Sequence, residues 1–203
     1  MFRQKIYKLL IGTNNRGKLK EIKNLLPKKI KIHSTSEFNL KSPVENGKTF
    51  KENSEIKANF FCNKTNLITL SDDSGLEIES LNGDPGIHSA RWAKKYGSFF
   101  KAMKVILKLV EDKNKNKKRK NLKARFVCSL FLKISKKKSI HSIGILNGKL
   151  NNKIIGKNGF GYDPIFIPLG YKITLAQMSY NKKIKMDHRY YAFKKLKKKI
   201  KTL

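Results

Sequence analysis

Leu9-Leu10-Ile11-Gly12-Thr13-Asn14-Asn15-Arg16-Gly17-Lys18-Leu19-Lys20-Glu21-Ile22 reads as a strand turning into a helix. The apolar run closing on Gly12-Thr13 predicts a strand over 5–13, and Asn15-Arg16-Gly17 a turn. Leu19, Ile22 and Leu26 share one face, which predicts a helix over 18–26 that Pro27 ends. Outward from this unit, 30–33 reads as a second strand and 35–48 as a polar loop. Thr49 with Glu52 three residues later is a capping-box pattern, so a helix is expected over 50–63. On it Asn53 and Lys57, spaced i, i+4, share a face. Residues 67–71 read as a buried strand delivering Asp72-Asp73 at its end, with 76–78 extended and 82–86 a Gly/Pro turn. A periodic helix is expected over 99–110, then a solvated Lys/Asn connection over 112–123. Strands are expected over 124–134, 139–146 and 149–155. Asn147-Gly148 is a hairpin signal between the last two. A short strand over 165–167 and a lysine-rich helix after His188, with Tyr191, Leu196 and Ile200 on its apolar side, complete an α/β chain with a strand-rich second half.

Composition bounds the function. The 203 residues carry 47 Lys+Arg against 14 Asp+Glu, a formal charge of +33. At 39% hydrophobic residues the chain has enough apolar material for a core. No apolar run approaches the roughly 18 residues of a membrane-spanning helix, and the stretch over 6–11 is too short for a signal peptide. A cytoplasmic location is the expectation. Two cysteines, Cys62 and Cys128, make no disulfide framework, and four scattered histidines make no zinc spacing. The charge invites a nucleic-acid reading. Yet only six of the 47 cations are arginine, the residue that base and phosphate recognition favours. Lys, Asn, Ile and Phe share A/T-rich codons, so compositional bias explains most of the charge and no specific nucleic-acid partner is expected. Binding to DNA or RNA should therefore vanish near physiological salt as screening removes diffuse contacts; nanomolar binding persisting there would restore the polyanion reading.

The acids are concentrated: eight of 14 lie between Glu45 and Asp84. In so basic a chain this points to a metal site facing a phosphate-rich ligand. Gly12 to Lys18 also fits G-x-x-x-x-G-K, the start of a P-loop, and residues 68–72 could pass as its partner strand. Leu19 stands where that motif needs a hydroxyl, but backbone N–H groups at a helix start, with Lys18, still favour an anion. Asp72 and Asp73 point to opposite sides if their strand stays regular. One would then anchor the loop while the other, Asp73, does chemistry from the turn. Gly159-Phe160-Gly161-Tyr162-Asp163-Pro164 lets backbone approach closely and frees an aromatic ring to stack on a base. Lys183 and His188-Arg189 add donors. A P-loop-like nucleotide kinase and a lysine-rich nucleic-acid-binding protein are the two alternatives these motifs leave open.

Taken in order, the motifs resemble the inosine or xanthosine triphosphate pyrophosphatases (dITP/XTP pyrophosphatases). The resemblance runs over 7–196. It is carried by residues 13–18, 45–53, 72–76, 85–91, 124–126, 159–166 and His188-Arg189. It implies an elongated, curved mixed β-sheet with flanking helices, forming one domain over 1–203 whose two lobes surround a nucleotide cleft, and a homodimer. The implied reaction is hydrolysis of ITP, dITP or XTP to the monophosphate and pyrophosphate with Mg²⁺, cleansing the nucleotide pool. Glu45 and Asp73 would hold the metal, and Asp73 would also handle the attacking water. Lys18 and Lys57, with Asn15, Asn53 and Ser74, would clamp the phosphates, and Thr13, Asn14, Arg16 and Gly17 would also bind substrate. Phe160 would stack on the base, with Gly161, Tyr162, Asp163, Lys183, His188 and Arg189 around it. Three features depart from the family pattern: Asn14 replaces a glycine, His88 a tyrosine, and Asp187-His188-Arg189-Tyr190 a Ser-His-Arg-Gly. Asn tolerates left-handed backbone best among non-glycine residues, so a left-handed Asn14 is expected to preserve the turn.

Overall fold

Leu9, Leu10 and Ile11 are fully buried and form the inner part of β1 (Lys8–Ile11). The computed structural model describes residues 6–201; Lys5 of the expected first strand and residues 202–203 of the expected last helix lie outside the described residues. β1 pairs in parallel with β2 (Lys31–Ser34) on one side and β3 (Thr69–Ile78) on the other, setting Leu9 opposite Ile32 and Ile11 opposite Leu70. The sheet continues through β4 (Lys123–Lys133), β5 (Ser139–Leu150) and β6 (Phe166–Pro168), in the order β2-β1-β3-β4-β5-β6. β5 and β6 are antiparallel, so the sheet is mixed. The helices are α1 (Arg16–Leu25), α2 (Phe50–Thr65), α3 (Ser89–Lys95), α4 (Phe99–Asn114), α5 (Tyr180–Lys183) and α6 (His188–Lys201). This is the α/β, mixed-sheet architecture that the sequence implied. Among the described residues no helix is long and apolar enough to cross a membrane.

The chain divides into two compact units. One takes the chain up to Asp73, then Cys128–Gly144 and Arg189 onward; the other takes Ser74–Val127 and Ile145–His188. Each has its own core. In the first, Leu9, Ile11, Ile22, Leu70, Leu130 and Leu196 pack together. In the second, Leu76, Ile106, Phe126, Leu150, Ile165 and Phe166 do so.

Five expectations are corrected. Asp72-Asp73-Ser74-Gly75 is no turn: β3 runs straight through it to Ile78. Asn147-Gly148 is no hairpin: β5 is one strand, with Gly148 opposite Pro168. A Cβ at Gly148 would lie 2.3 Å from the Ile167 carbonyl oxygen, so glycine serves close approach to β6 and not reversal. α3, absent from the sequence reading, is a short helix following a 3-10 turn at Gly86–His88. Finally, α4 extends to Asn114, which is buried and donates to Val110 O at 2.7 Å while accepting from Asn121 N at 2.6 Å. The start of the lysine run is thus tied down. On α6 the apolar side carries Ala192 and Leu196 with Phe193 and Ile200 packed against the first core; Tyr191, assigned to that side, is 37% exposed.

Candidate active site

The β1–α1 turn is built by local capping. Asn15 is the N-cap of α1, its Oδ1 accepting from Lys18 N at 3.0 Å, and Thr13 Oγ1 accepts from Asn15 N at 3.2 Å. Asn14 is not left-handed: Asn39, Asn66 and Asn82 are the non-glycine residues with positive φ among the described residues. Its side chain does something a glycine cannot. Nδ2 donates to Thr35 Oγ1 at 3.0 Å and to Leu40 O at 2.9 Å, while Oδ1 accepts from Ser42 Oγ at 2.6 Å. Asn14 thereby staples the turn to the loop that leads to Glu45. Arg16 opens α1 exposed, and Gly17 is half-buried inside the helix. Leu19 packs against the first core, so the position a P-loop kinase needs for a hydroxyl is apolar packing.

α2 starts at Thr49, whose Oγ1 accepts from Glu52 N at 3.1 Å, and this start sets the helix phase. Asn53 and Lys57 are both buried, at 0% and 4% exposure. Asn53 Oδ1 accepts from Gly47 N at 2.9 Å, which fixes the loop after Glu45. Lys57 Nζ donates to Glu45 Oε1 at 2.9 Å and approaches Asp73 Oδ1 at 3.5 Å. Burial works against the Lys57 charge, but Asp73, Asp72 and Glu45 outweigh it and hold the ammonium above its ordinary value. Burial pushes the Asp73 carboxyl up, helped by Glu45 and Asp72 and opposed by Lys57 and Lys18. Asp73 Oδ2 and Asn53 Nδ2 are buried with no hydrogen-bond partner among the described residues. A buried acceptor and a buried donor left unsatisfied in one unit fit a site made for a polar ligand.

Asp72 faces the other way, as strand alternation requires. Its Oδ2 lies 3.3 Å from Lys18 Nζ and 3.4 Å from Arg189 Nε, and Arg189 Nη1 donates to Glu21 Oε2 at 2.8 Å. Burial alone would raise the Asp72 carboxyl; Lys18, Arg189 and Lys57 together pull it down to about 2. Arg189, expected at the edge of a base, is therefore buried between two carboxylates. Glu21 was missed by sequence reasoning. It is the only acid before Glu37, a signal that could have marked it.

In the second unit Lys183 and Asp163 form a buried ion pair through Lys183 Nζ and Asp163 Oδ2. Asp163 Oδ2 also accepts from Phe160 N at 2.9 Å. The turn needs Gly159, whose φ is +76° and whose missing Cβ would strike the Asp163 carboxylate. Phe160 is half-buried, and Lys183 Nζ sits 4.8 Å from its ring centroid, a cation–π distance. Gly161 follows with φ +68°, and Ser74 is half-buried on β3. The His188 ring stacks on Phe126 at 4.8 Å and 12°. Tyr162, expected to touch substrate, belongs to the core: its hydroxyl donates to Ser89 O at 2.9 Å and its ring meets Phe99 edge-on.

Among the described residues no three His, Cys, Asp or Glu side chains gather as a metal-holding group. Glu45 and Asp73, joined through Lys57, offer two carboxylates. Two suffice for Mg²⁺, which keeps several waters and takes phosphate oxygens for the rest, and the unsatisfied Asp73 Oδ2 fits that role.

Known proteins are similar to this chain in sequence and in fold. The dITP/XTP pyrophosphatase of Clostridium perfringens is 39% identical over 97% of this chain and 98% of its own. That of Christiangramia forsetii is 38% identical over 93% and 96%. The structure of a HAM1 protein from Coxiella burnetii superposes with a TM-score of 0.86 at 31% identity, covering 98% of this chain and all of its own. The Staphylococcus aureus Ham1 protein gives 0.81 at 31% identity, covering 96% and 98%. The Ham1 family profile matches residues 9–199, a span that holds both cores and all the site residues described above, and the chain belongs to the Ham1 family.

Proposed function

We propose that this protein hydrolyses non-standard purine nucleoside triphosphates (ITP, dITP and XTP) to the monophosphate and pyrophosphate, using Mg²⁺. The observation that carries the reading is buried Lys57 held between half-buried Glu45 and buried Asp73, with an unsatisfied acceptor on Asp73 and an unsatisfied donor on Asn53, one turn before Lys57 on α2. Hydrolysis puts the oxygen of one water on phosphorus, breaks the α–β bridging bond, and needs an acceptor for the water's proton. Asp73 Oδ2 is that acceptor. Burial makes its carboxylate a better base than an exposed one. Lys57 and Lys18 place positive charge for phosphate oxygens, and Asn53 Nδ2 supplies a donor. Glu45 and Asp73 would hold Mg²⁺, which when bound neutralises the triphosphate and acidifies its water. Asn14, with Asn15 and Thr13, shapes the turn whose exposed Arg16 and half-buried Lys18 meet the anion.

In the second unit, Phe160 offers an aromatic face backed by Lys183, and with Gly161, Asp163 and His188 it is assigned to the purine. Arg189 is reassigned to positioning Asp72 and Tyr162 to the core. A homodimer working in the cytoplasm is part of the same reading: the resemblance supports the first, and the location of the nucleotide pool the second.

With ITP and Mg²⁺ the expected products are IMP and pyrophosphate in equal amounts, read by chromatography of the reaction. Free phosphate released directly, with IDP accumulating, would overturn the assignment. Phosphate passed to an acceptor nucleotide would favour the kinase alternative.

A further inference from the structure

We propose that Ser129 and His141 are positioning residues for the phosphate site, holding α2 at one rotation through Ser54 and so placing Asn53 and Lys57. The naming of that site rests on the function proposed above. The sheet-facing side of α2 carries Phe50, Ser54, Ala58 and Phe61, all buried. Among three apolar side chains one hydroxyl is out of place unless it is bonded. Ser54 Oγ lies 2.8 Å from Ser129 Oγ on β4, and Ser129 Oγ lies 2.9 Å from His141 Nε2 on β5. Both serines are at 0% exposure.

The proton order of this chain follows from its end. Ser54 Oγ donates to Lys51 O at 2.8 Å, and a carbonyl only accepts. A hydroxyl has one proton, so Ser54 accepts from Ser129, and Ser129 in turn accepts from His141. Burial, with Lys51 and Lys199 nearby, holds His141 below its ordinary value, so the ring is neutral at pH 7 and its single proton sits on Nε2. The chain ends on a carbonyl that cannot pass a proton on, which excludes a relay. What remains is orientation. Apolar contacts such as Ala58 and Phe61 are non-directional, whereas a hydrogen bond weakens steeply as its angle opens. Ser129, oriented by His141, is a directional contact on the otherwise apolar sheet-facing side of α2 and resists its rotation. Asn53 precedes Ser54 and Lys57 follows it by about one turn, so a rotation carries both away from Gly47, Glu45 and Asp73.

Two readings on substrate-free protein test the chain directly. Nitrogen-15 NMR should show the His141 Nε2–H tautomer, and Ser129→Ala should displace the Asn53 side-chain amide signal. An Nδ1–H tautomer, or an unmoved Asn53 signal, would overturn the proposal. With ITP, Ser129→Ala should lower kcat/KM about tenfold, mainly through KM, because Asn53 and Lys57 grip the phosphates before and during reaction. Mere loss of folded enzyme would lower kcat and leave KM alone, and that result would also overturn it. His141 is half-buried, so its variants should fold. His141→Gln keeps an N–H donor and should stay near wild type, while His141→Leu should share the defect; equal behaviour of the two would count against the role of His141. A wild type inactive on ITP would sink the proposed function and leave the two NMR readings to decide the positioning role.

Discussion

Asp73→Asn should lower kcat for ITP at least about 10²-fold, the scale of a lost general base, and should leave the protein no less stable. The first half follows from Oδ2 being a buried acceptor without a partner. The second follows from the sign of its proton affinity. Burial raises the Asp73 carboxyl above its ordinary 3.8, so the folded state binds this proton more tightly than the unfolded chain does. Such a group detracts from stability once pH rises past its unfolded value, because the fold disfavours the charged carboxylate relative to the unfolded chain. Asn keeps the shape and removes the charge. Lys57 retains Glu45 at 2.9 Å, so no buried ammonium is stranded. Activity and stability should therefore separate, as at a site where function is kept against stability. The measurement is kcat with Mg²⁺ beside thermal unfolding in EDTA at pH 7. Wild-type turnover in Asp73→Asn would refute the catalytic role. A Tm several degrees lower would refute the electrostatic account of the site.

The sequence showed most plainly what is fixed locally. The β1–α1 unit was legible because a periodic apolar face ends at a proline within a few residues, and α2 because its capping box is local. Thr49 caps its helix as its position suggests, whereas Asn15-Arg16-Gly17, read as a turn, is an N-cap and the first helical residues of α1. Where a local signal failed, a distant partner outweighed it. Asp72-Asp73-Ser74-Gly75 is composed of turn formers, yet Lys18, Arg189 and Lys57 neutralise the carboxylates and let the strand continue. Asn147-Gly148 signals a hairpin, but pairing with β6 keeps the strand whole. Asn14 looked like a backbone accommodation and is a side-chain staple across 21 to 28 residues. In the candidate site, residue types were legible and partners were not. Lys57, Glu45 and Asp73 do meet. Tyr162 and Arg189 were read by type as ligands, and their partners Ser89 and Glu21 lie 73 and 168 residues away, beyond the reach of any local pattern.

Arg189→Ala is expected to cost about 3–5 kcal/mol of stability, the usual penalty for removing one partner of a buried ion pair. Arg189 bridges Glu21 and Asp72, and Lys18 adds a second cation at Asp72. Glu21, Asp72 and Arg189 are all at least 98% buried. Without the guanidinium, buried Asp72 keeps the Lys18 ammonium, whose side chain is 15% exposed, and the charge of Lys57, while buried Glu21 loses the hydrogen bond from Arg189 Nη1. For a chain of this size each kcal/mol moves Tm by roughly 2–4 °C, so Tm should fall by about 10 °C at pH 7. The pH dependence identifies the cause. Asp72 is held at about 2 against an ordinary 3.8, so its contribution is present above pH 3.8 and is lost as pH falls toward 2. In Arg189→Ala the part of that depression owed to the guanidinium is gone, and protonation of Asp72 relieves the loss of its partner. The Tm gap between wild type and variant should therefore be wide at pH 7 and narrow at pH 3. Arg189→Lys should recover only part of the loss, since one ammonium cannot reproduce a fork to two carboxylates. A gap equal at both pH values would mean that packing, not charge, was removed. An unchanged Tm, with ITP-over-ATP selectivity lost instead, would return Arg189 to the purine and leave the balance of Asp72 to its other cations, Lys18 and Lys57.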